Sequence, residues 1–219
     1  MKYQLPIILF SFVLLQCKDS TEKLFIAVSP EVTGITFNNT ITVGDSVSVL
    51  DSEYLYNGGG VGVGDINNDG LLDIYFSGNM TSSRLYLNKG NLKFEDITEK
   101  ANVGTTKWAN GVVMADVNQD GFKDIYVCVG GTKRTPEKDR GNLLFINNGD
   151  GTFKESATQY GLADSGYGIH SVFFDYDRDG DLDVVIALQE NASLWRWWDK
   201  LHKSSDVKGR DDRFDWKIL

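Results

Sequence analysis

Val61-Gly62-Val63-Gly64-Asp65-Ile66-Asn67-Asn68-Asp69-Gly70-Leu71-Leu72-Asp73-Ile74-Tyr75-Phe76 places an aspartate-rich turn between two apolar runs. The same order returns as Val112-Val113-Met114-Ala115-Asp116-Val117-Asn118-Gln119-Asp120-Gly121-Phe122-Lys123-Asp124-Ile125-Tyr126-Val127. It returns again as Val172-Phe173-Phe174-Asp175-Tyr176-Asp177-Arg178-Asp179-Gly180-Asp181-Leu182-Asp183-Val184-Val185-Ile186. The shared turn is D-x-D/N-x-D-G-x-x-D. Its first aspartates, Asp65, Asp116 and Asp175, are 51 and then 59 residues apart. A period near 50 residues is the mark of an array or propeller.

The eight additional residues of the longer period fall in one place. Leu85-Tyr86-Leu87-Asn88 matches Leu144-Phe145-Ile146-Asn147, and Phe94 matches Phe153. The excess is therefore confined to the loop around Gly131 to Gly141, which reads Thr132-Lys133-Arg134-Thr135-Pro136-Glu137-Lys138-Asp139-Arg140 and is polar and surface-like. Each unit reads as four strands: one into the Asp turn, one out of it, a third ending in an Asn/Gly turn, and a fourth from Phe94 or Phe153. Asn88-Lys89-Gly90 and Asn147-Asn148-Gly149-Asp150-Gly151 suit tight hairpins. The first two strands are apolar almost throughout, which predicts burial on both faces, as in sheets stacked side by side.

The turns carry metal chemistry. Calcium takes six to eight hard oxygens in a loosely constrained shell. In the first turn the expected ligands are Asp65, Asn67, Asp69, the backbone carbonyl of Leu71, and Asp73. In the second they are Asp116, Asn118, Asp120, the carbonyl of Phe122, and Asp124. In the third they are Asp175, Asp177, Asp179, the carbonyl of Asp181, and Asp183. Up to three calcium ions are expected, held most tightly in the third turn, which has four carboxylates where the others have three and an asparagine. Without a cation such crowding of like charge is relieved by proton uptake or by opening of the loop. A solvated Asp/Asn/Gly turn is the ordinary reading of one such cluster; three copies at one spacing between apolar strands argue against it. An EF-hand is excluded, since its twelfth position needs Glu and here is Phe76, Val127 or Ile186. Magnesium suits so many protein oxygens poorly, and zinc or copper would want the His or Cys that these turns lack.

These segments resemble the FG-GAP or VCBS repeats of integrin α-chain propellers and of many exported bacterial proteins. Tyr56-Asn57-Gly58-Gly59-Gly60, Leu85-Tyr86-Leu87-Asn88 and Asn147-Asn148-Gly149-Asp150-Gly151-Thr152-Phe153 extend the similarity. The resemblance implies a β-propeller with calcium in the hairpin loops of several blades. It also implies a protein or glycan ligand on the opposite face, near residues 78–84, 102–110, 130–142 and 163–170. The expected fold is thus all-β: a partial β-propeller of about three four-stranded blades with calcium loops. Three blades leave open edges, so closure is expected from self-association or from further blades C-terminal to these.

Outside the repeats, Lys2 and the apolar run Leu5 to Leu15 read as an export signal too short to span a bilayer. Leu14-Leu15-Gln16-Cys17 then suggests a lipoprotein cut with lipidation at Cys17, anchoring the chain to a membrane, outer membrane or cell surface. The expected organisation is a signal peptide at 1–16, a linker at 17–23, the propeller region at 24–193, and a divergent tail at 194–219. That tail holds Trp195, Trp197, Trp198 and Trp216, with helical spacing in Leu194-Trp195-x-x-Trp198-x-x-Leu201. A packing helix is the plainer reading of it, an aromatic sugar platform the rival. With Cys17 lipidated, Cys128 has no partner; it aligns with Ser77 and Ala187 and reads as a packed thiol.

A net charge of −9 argues against nucleic acid as a partner. Gly58-Gly59-Gly60-Val61-Gly62-Val63-Gly64 has no phosphate-cradle spacing, and neither His170 nor His202 lies in a catalytic motif. The best-organised aspartates are already used as metal ligands, which weakens a glycosidase reading. The expectation is a non-catalytic, calcium-binding adhesion or recognition module. The rival is part of a calcium-dependent polysaccharide lyase or a related glycan-degrading enzyme.

Overall fold

Two apolar runs joined by a tight turn form an antiparallel hairpin, and three such hairpins organise the molecule. The computed structural model describes residues 24–44, 47–48, 55–132, 134–189 and 215–218. The first blade is β1 (Val61–Gly64), β2 (Asp73–Phe76), β3 (Arg84–Asn88) and β4 (Phe94–Asp96), antiparallel and in sequence order. The second repeats this as β5 (Ala109–Ala115), β6 (Asp124–Val129), β7 (Leu143–Asn147) and β8 (Phe153–Glu155). The third pairs β9 (Gly168–Phe174) with β10 (Asp183–Leu188), and β10 with β11 (Asp215–Ile218). The chain is therefore β-rich in the way the repeat predicts, with three antiparallel sheets side by side. The innermost strands β1, β5 and β9 are successive neighbours.

The third blade takes its third strand from the tail, where Asp215 lies opposite Leu188 and Ile218 opposite Val185. An unpaired β10 would leave a row of backbone donors and acceptors open, and β11 satisfies them. The signal stretch, Cys17, His202 and the helical spacing of Leu194 to Leu201 lie outside the described residues. No helix among the described residues is long and apolar enough to cross a membrane. Among the described residues the helical pieces are single turns, α1 (Pro30–Thr33) and α2 (Thr98–Ala101), with a 3-10 turn at Glu137–Asp139.

The core lies between blades rather than within them. Tyr75 and Leu85 of the first blade pack with Val112, Ile125 and Val127 of the second. Tyr126, Cys128 and Leu144 of the second pack with Val184, Ile186 and Phe173 of the third. Tyr126 and Phe173 meet edge to face at 5.5 Å between ring centroids. Close approach at the first seam needs small residues on one side. A Cβ on Gly62 would meet Val112 Cγ1 at 2.7 Å, and one on Gly64 would meet Met114 Sδ at 2.9 Å.

Sequence predicts burial on both faces for the first two strands of each blade, and only β6 has it, with all six residues buried, while the first strands β1, β5 and β9 each leave residues partly or fully exposed. Strands β2 and β10 alternate instead, because each faces a neighbouring blade on one side only. Residues 35–39 cover part of the outer face of the first blade. There Phe37 stacks on Phe76 at 5.2 Å, and the Thr36 N–H donates to the Tyr86 hydroxyl at 3.3 Å. Cys128 is fully buried and free, and burial raises its thiol to about 12, so it packs as an inert side chain.

Candidate metal centre

Each Asp turn bridges the first two strands of its blade. The ninth-position aspartate lies opposite the residue before the first: Asp73 opposite Gly64, Asp124 opposite Ala115, Asp183 opposite Phe174. This register folds the intervening loop back over the hairpin end. The glycines at position six sit at φ of 82° (Gly70), 91° (Gly121) and 99° (Gly180), where a Cβ would be strained.

The first and ninth aspartates hold the backbone of the loop. Asp65 Oδ2 accepts from the Gly70 N–H at 2.8 Å, and its Oδ1 from the Asn67 and Asp69 N–H groups at 3.3 and 3.2 Å. Asp116 repeats this with Gly121 at 2.9 Å and Asp120 at 3.0 Å, and Asp175 with Gly180 at 3.2 Å. Asp73 is completely buried; Oδ2 accepts from the Ile66 N–H at 3.0 Å and Oδ1 from the Asn88 N–H at 2.7 Å. Asp124 does the same with Val117 at 2.9 Å and Asn147 at 2.8 Å. Asp183 accepts from the Tyr176 N–H at 2.7 Å. A carboxylate oxygen has two lone-pair sites, so each can hold the loop and still face a cation.

The electrostatics suit a cation. Burial pushes the Asp73 carboxyl above its ordinary value; two backbone N–H groups oppose this, and the charges of Asp69 and Asp65 add to the upward shift. Asp124 is raised for the same reasons, with Asp120 and Asp116 as its negative neighbours. Asp65 goes the other way: partial burial raises it, but the backbone N–H groups of residues 67 to 70 together hold it below its ordinary value. A divalent ion would relieve the repulsion around Asp73 and Asp124 without asking either to take up a proton.

The third turn gathers the most negative charge. Asp175, Asp177 and Asp183 each bring a carboxylate oxygen within 4.8 Å of the others. Asn67 and Asn118 stand where Asp177 does, and each amide donates to the adjacent acid, to Asp69 at 3.0 Å and to Asp120 at 2.8 Å. Leu71, Phe122 and Asp181 follow the glycine in each turn. The N–H of Leu71 is bonded to Asp69 at 2.8 Å, that of Phe122 to Asp120 at 2.9 Å, and that of Asp181 to Asp179 at 3.1 Å. Their carbonyls remain the expected seventh-position donors. Hard carboxylate and carbonyl oxygens match calcium, with its loosely constrained shell, better than a softer or more rigid metal.

The fourth position of the turn links neighbouring loops, and motif reading passes over it. Asn68 Nδ2 donates to the Gly121 carbonyl at 3.0 Å, and Gln119 Nε2 to the Gly180 carbonyl at 2.7 Å. Asn68, Gln119 and Arg178 share no side-chain type. They share a side-chain N–H donor and a positive φ of 59°, 58° and 66°, of which only the recurring donor could be read from the sequence.

The opposite end of the blades carries the β2–β3, β4–β5, β6–β7 and β8–β9 loops. The inserted loop lies there, beside a groove of about 620 Å³ bordered by Lys107, Glu137, Lys138, Asn142, Thr158 and Ser165. Lys107 Nζ donates to the Gly141 carbonyl at 2.8 Å and Ser165 Oγ to Glu137 at 3.1 Å. The Arg140 guanidinium lies 4.0 Å from the Tyr167 ring centroid. These contacts hold the insertion against the two adjoining loops.

Comparison with known proteins places the same segments in one family model. The FG-GAP-like repeat model matches residues 65–127 and 132–186. The chain is 30% identical over 101 residues to cartilage acidic protein 1 of Homo sapiens, a match covering 45% of this chain and 14% of that protein. To cartilage acidic protein 1 of Mus musculus it is 27% identical over 124 residues, 56% of this chain and 17% of the relative. The chain thus spans less than a fifth of the length of these curated relatives.

Proposed function

Since this chain belongs to the FG-GAP-like repeat family, we propose that it is a non-catalytic, calcium-stabilised recognition module of the adhesion type, exported and held at the cell surface. The observation that carries the calcium reading is the convergence of Asp175, Asp177 and Asp183 within 4.8 Å, in a turn whose spacing occurs three times. In each turn the first, third, fifth and ninth side chains and the seventh carbonyl would hold the ion. Its role is structural: binding to the folded loop but not to the unfolded chain raises stability by mass action. The ligand, a protein or a glycan, would use the face opposite the calcium, beside the inserted loop. Lipidation at Cys17 would supply the anchor.

Calorimetric titration of chelator-treated protein with calcium tests the reading directly. Uptake of up to three ions is expected, with the strongest site lost in Asp175→Asn/Asp177→Asn, and the melting temperature should rise on loading. No uptake at millimolar calcium would overturn it. The non-catalytic part fails separately if the purified protein turns over an acidic polysaccharide.

A further inference from the structure

Two of the Asp turns are tied together beneath their exposed tips. Asn147, at the end of β7, is buried and bonds toward both. Its backbone N–H donates to Asp124 Oδ1 at 2.8 Å, and Asp124 Oδ2 accepts from the Val117 N–H at 2.9 Å. Its side-chain Nδ2 crosses the seam and donates to the Ile66 carbonyl at 2.8 Å, while the Ile66 N–H donates to Asp73 Oδ2 at 3.0 Å. One residue thus joins the ninth-position aspartates of the first and second turns. Asn88 is its counterpart in the first blade. Its N–H holds Asp73 at 2.7 Å, and its amide bonds the Leu72 carbonyl of its own blade at 2.9 Å. Asn147 keeps the matching bond, to Lys123 at 3.1 Å, and adds the one across the seam.

The tie reaches other expected ligands. Ile66 lies between Asp65 and Asn67, so the placement of its backbone bears on both. A second tie joins the exposed tips, from Asn68 Nδ2 to the Gly121 carbonyl at 3.0 Å. Gly121 precedes Phe122, whose carbonyl is the seventh-position donor of the second turn. Between the second and third turns the tie among the described residues is at the tip, from Gln119 to Gly180 at 2.7 Å.

On the calcium reading proposed above, we infer that the first and second turns take up their ions as a cooperative pair, with Asn147 as the positioning residue they share. Ordering of Asp65 and Asn67 around one ion fixes the Ile66 backbone and, through Asn147, the Asp124 carboxylate. The second turn then has less freedom to lose when it fills. Such coupling is reciprocal, and about five-fold in affinity is its lower usual size. The opposing effect is the attractive charge that the first ion cancels. At about 0.15 M salt the screening length is about 8 Å, which weakens that effect between exposed acids and leaves a buried tie intact. The third turn, tied at its tip, fills on its own.

The test is a calcium titration of the chelator-treated full chain at about 0.15 M salt, followed by NMR at the Gly70, Gly121 and Gly180 amides. These N–H groups donate to the first aspartate of their own turns at 2.8, 2.9 and 3.2 Å, so each reports one turn. Gly70 and Gly121 should share a midpoint, with a Hill slope of about 1.4 or more, the value for two equal sites coupled about five-fold. Gly180 should have a midpoint of its own. Asn147→Ala leaves every acid in place. It should bring both slopes to about 1 and leave the Gly180 midpoint unchanged, whereas a general loosening of the fold would move all three. Asn68→Gly changes an exposed residue whose φ of 59° glycine adopts freely. It should lower the slope with unchanged circular dichroism, and it decides the matter if Asn147→Ala does not fold. Separate midpoints with slopes of about 1 in the wild type, an unchanged slope in either folded variant, or a Gly180 shift equal to the others in Asn147→Ala overturns the pairing while calcium uptake stands. No response of any of the three amides at millimolar calcium overturns the calcium reading and the pairing with it.

Discussion

Asp73 and Asp69 are four residues apart and serve the fold differently. Asp73 is buried and satisfies two backbone N–H groups at once. Asp69 is exposed and bonds only within the loop. An amide at position 73 keeps one acceptor and turns a donor toward the other N–H. Asp73→Asn should therefore cost about 1–3 kcal/mol in urea unfolding even in chelator, the cost of an orphaned buried donor. Asp69→Asn should leave the chelated protein nearly unchanged and reduce only the stabilisation added by calcium. The raised carboxyls of Asp73 and Asp124 also set a pH dependence. Their folded values lie above the unfolded value of 3.8. In the cation-free chain their contribution to stability is present below that pH and is lost as pH climbs through the folded values. Asp65 acts oppositely, but in an exposed loop where solvent screens it. The gain in melting temperature on adding calcium should accordingly grow between about pH 4 and pH 7; a gain that shrinks with rising pH would contradict this.

At the scale of the strand, the hairpins were legible and their surroundings were not. The D-x-D/N-x-D-G-x-x-D spacing marks both ends of each turn because calcium ligation and the sharp bend fix residue type position by position. Whether a strand is buried on one face or two depends on what stands beside it, and so β2 and β10 alternate where β6 does not. Strand β11 was unreadable for a related reason: Asp215–Ile218 pairs with β10 across a long stretch of chain and carries none of the Leu-Tyr-x-Asn signature of the other third strands. The glycines before and within β1 show how local the constraint is. A Cβ on Gly59 would collide with the backbone carbonyl of Ser77, which cannot move without parting β1 from β2. Gly59→Ala should cost about 1–3 kcal/mol by overpacking. Gly64→Ala presses on the Met114 side chain, on Sδ at 2.9 Å and on Cβ at 3.1 Å, with no backbone atom in the way, and should cost about 1 kcal/mol. Equal losses in equilibrium unfolding of the two variants would show that the seam at Met114 is as tight as the approach of Gly59 to Ser77.

At the scale of the whole molecule, no blade holds a core of its own among the described residues. The apolar clusters sit at the two seams, each built half from one blade and half from the next. The second blade is clamped on both sides, and the first and third on one. Amide hydrogen exchange should therefore be slowest in β6 and faster in β2 and β10, with end blades opening before the middle one; uniform protection across the three would show a single cooperative unit instead. Calcium should slow exchange in all three turns, and the Asn68 and Gln119 links should carry part of that protection from each loop to its neighbour. A core divided into seams also bears on how such a chain changes by duplication. A unit copied in tandem brings both halves of a seam with it, so an array can lengthen or shorten by a whole unit without any new apolar surface having to be invented. What selection must then refine is only the fit at the first and last units.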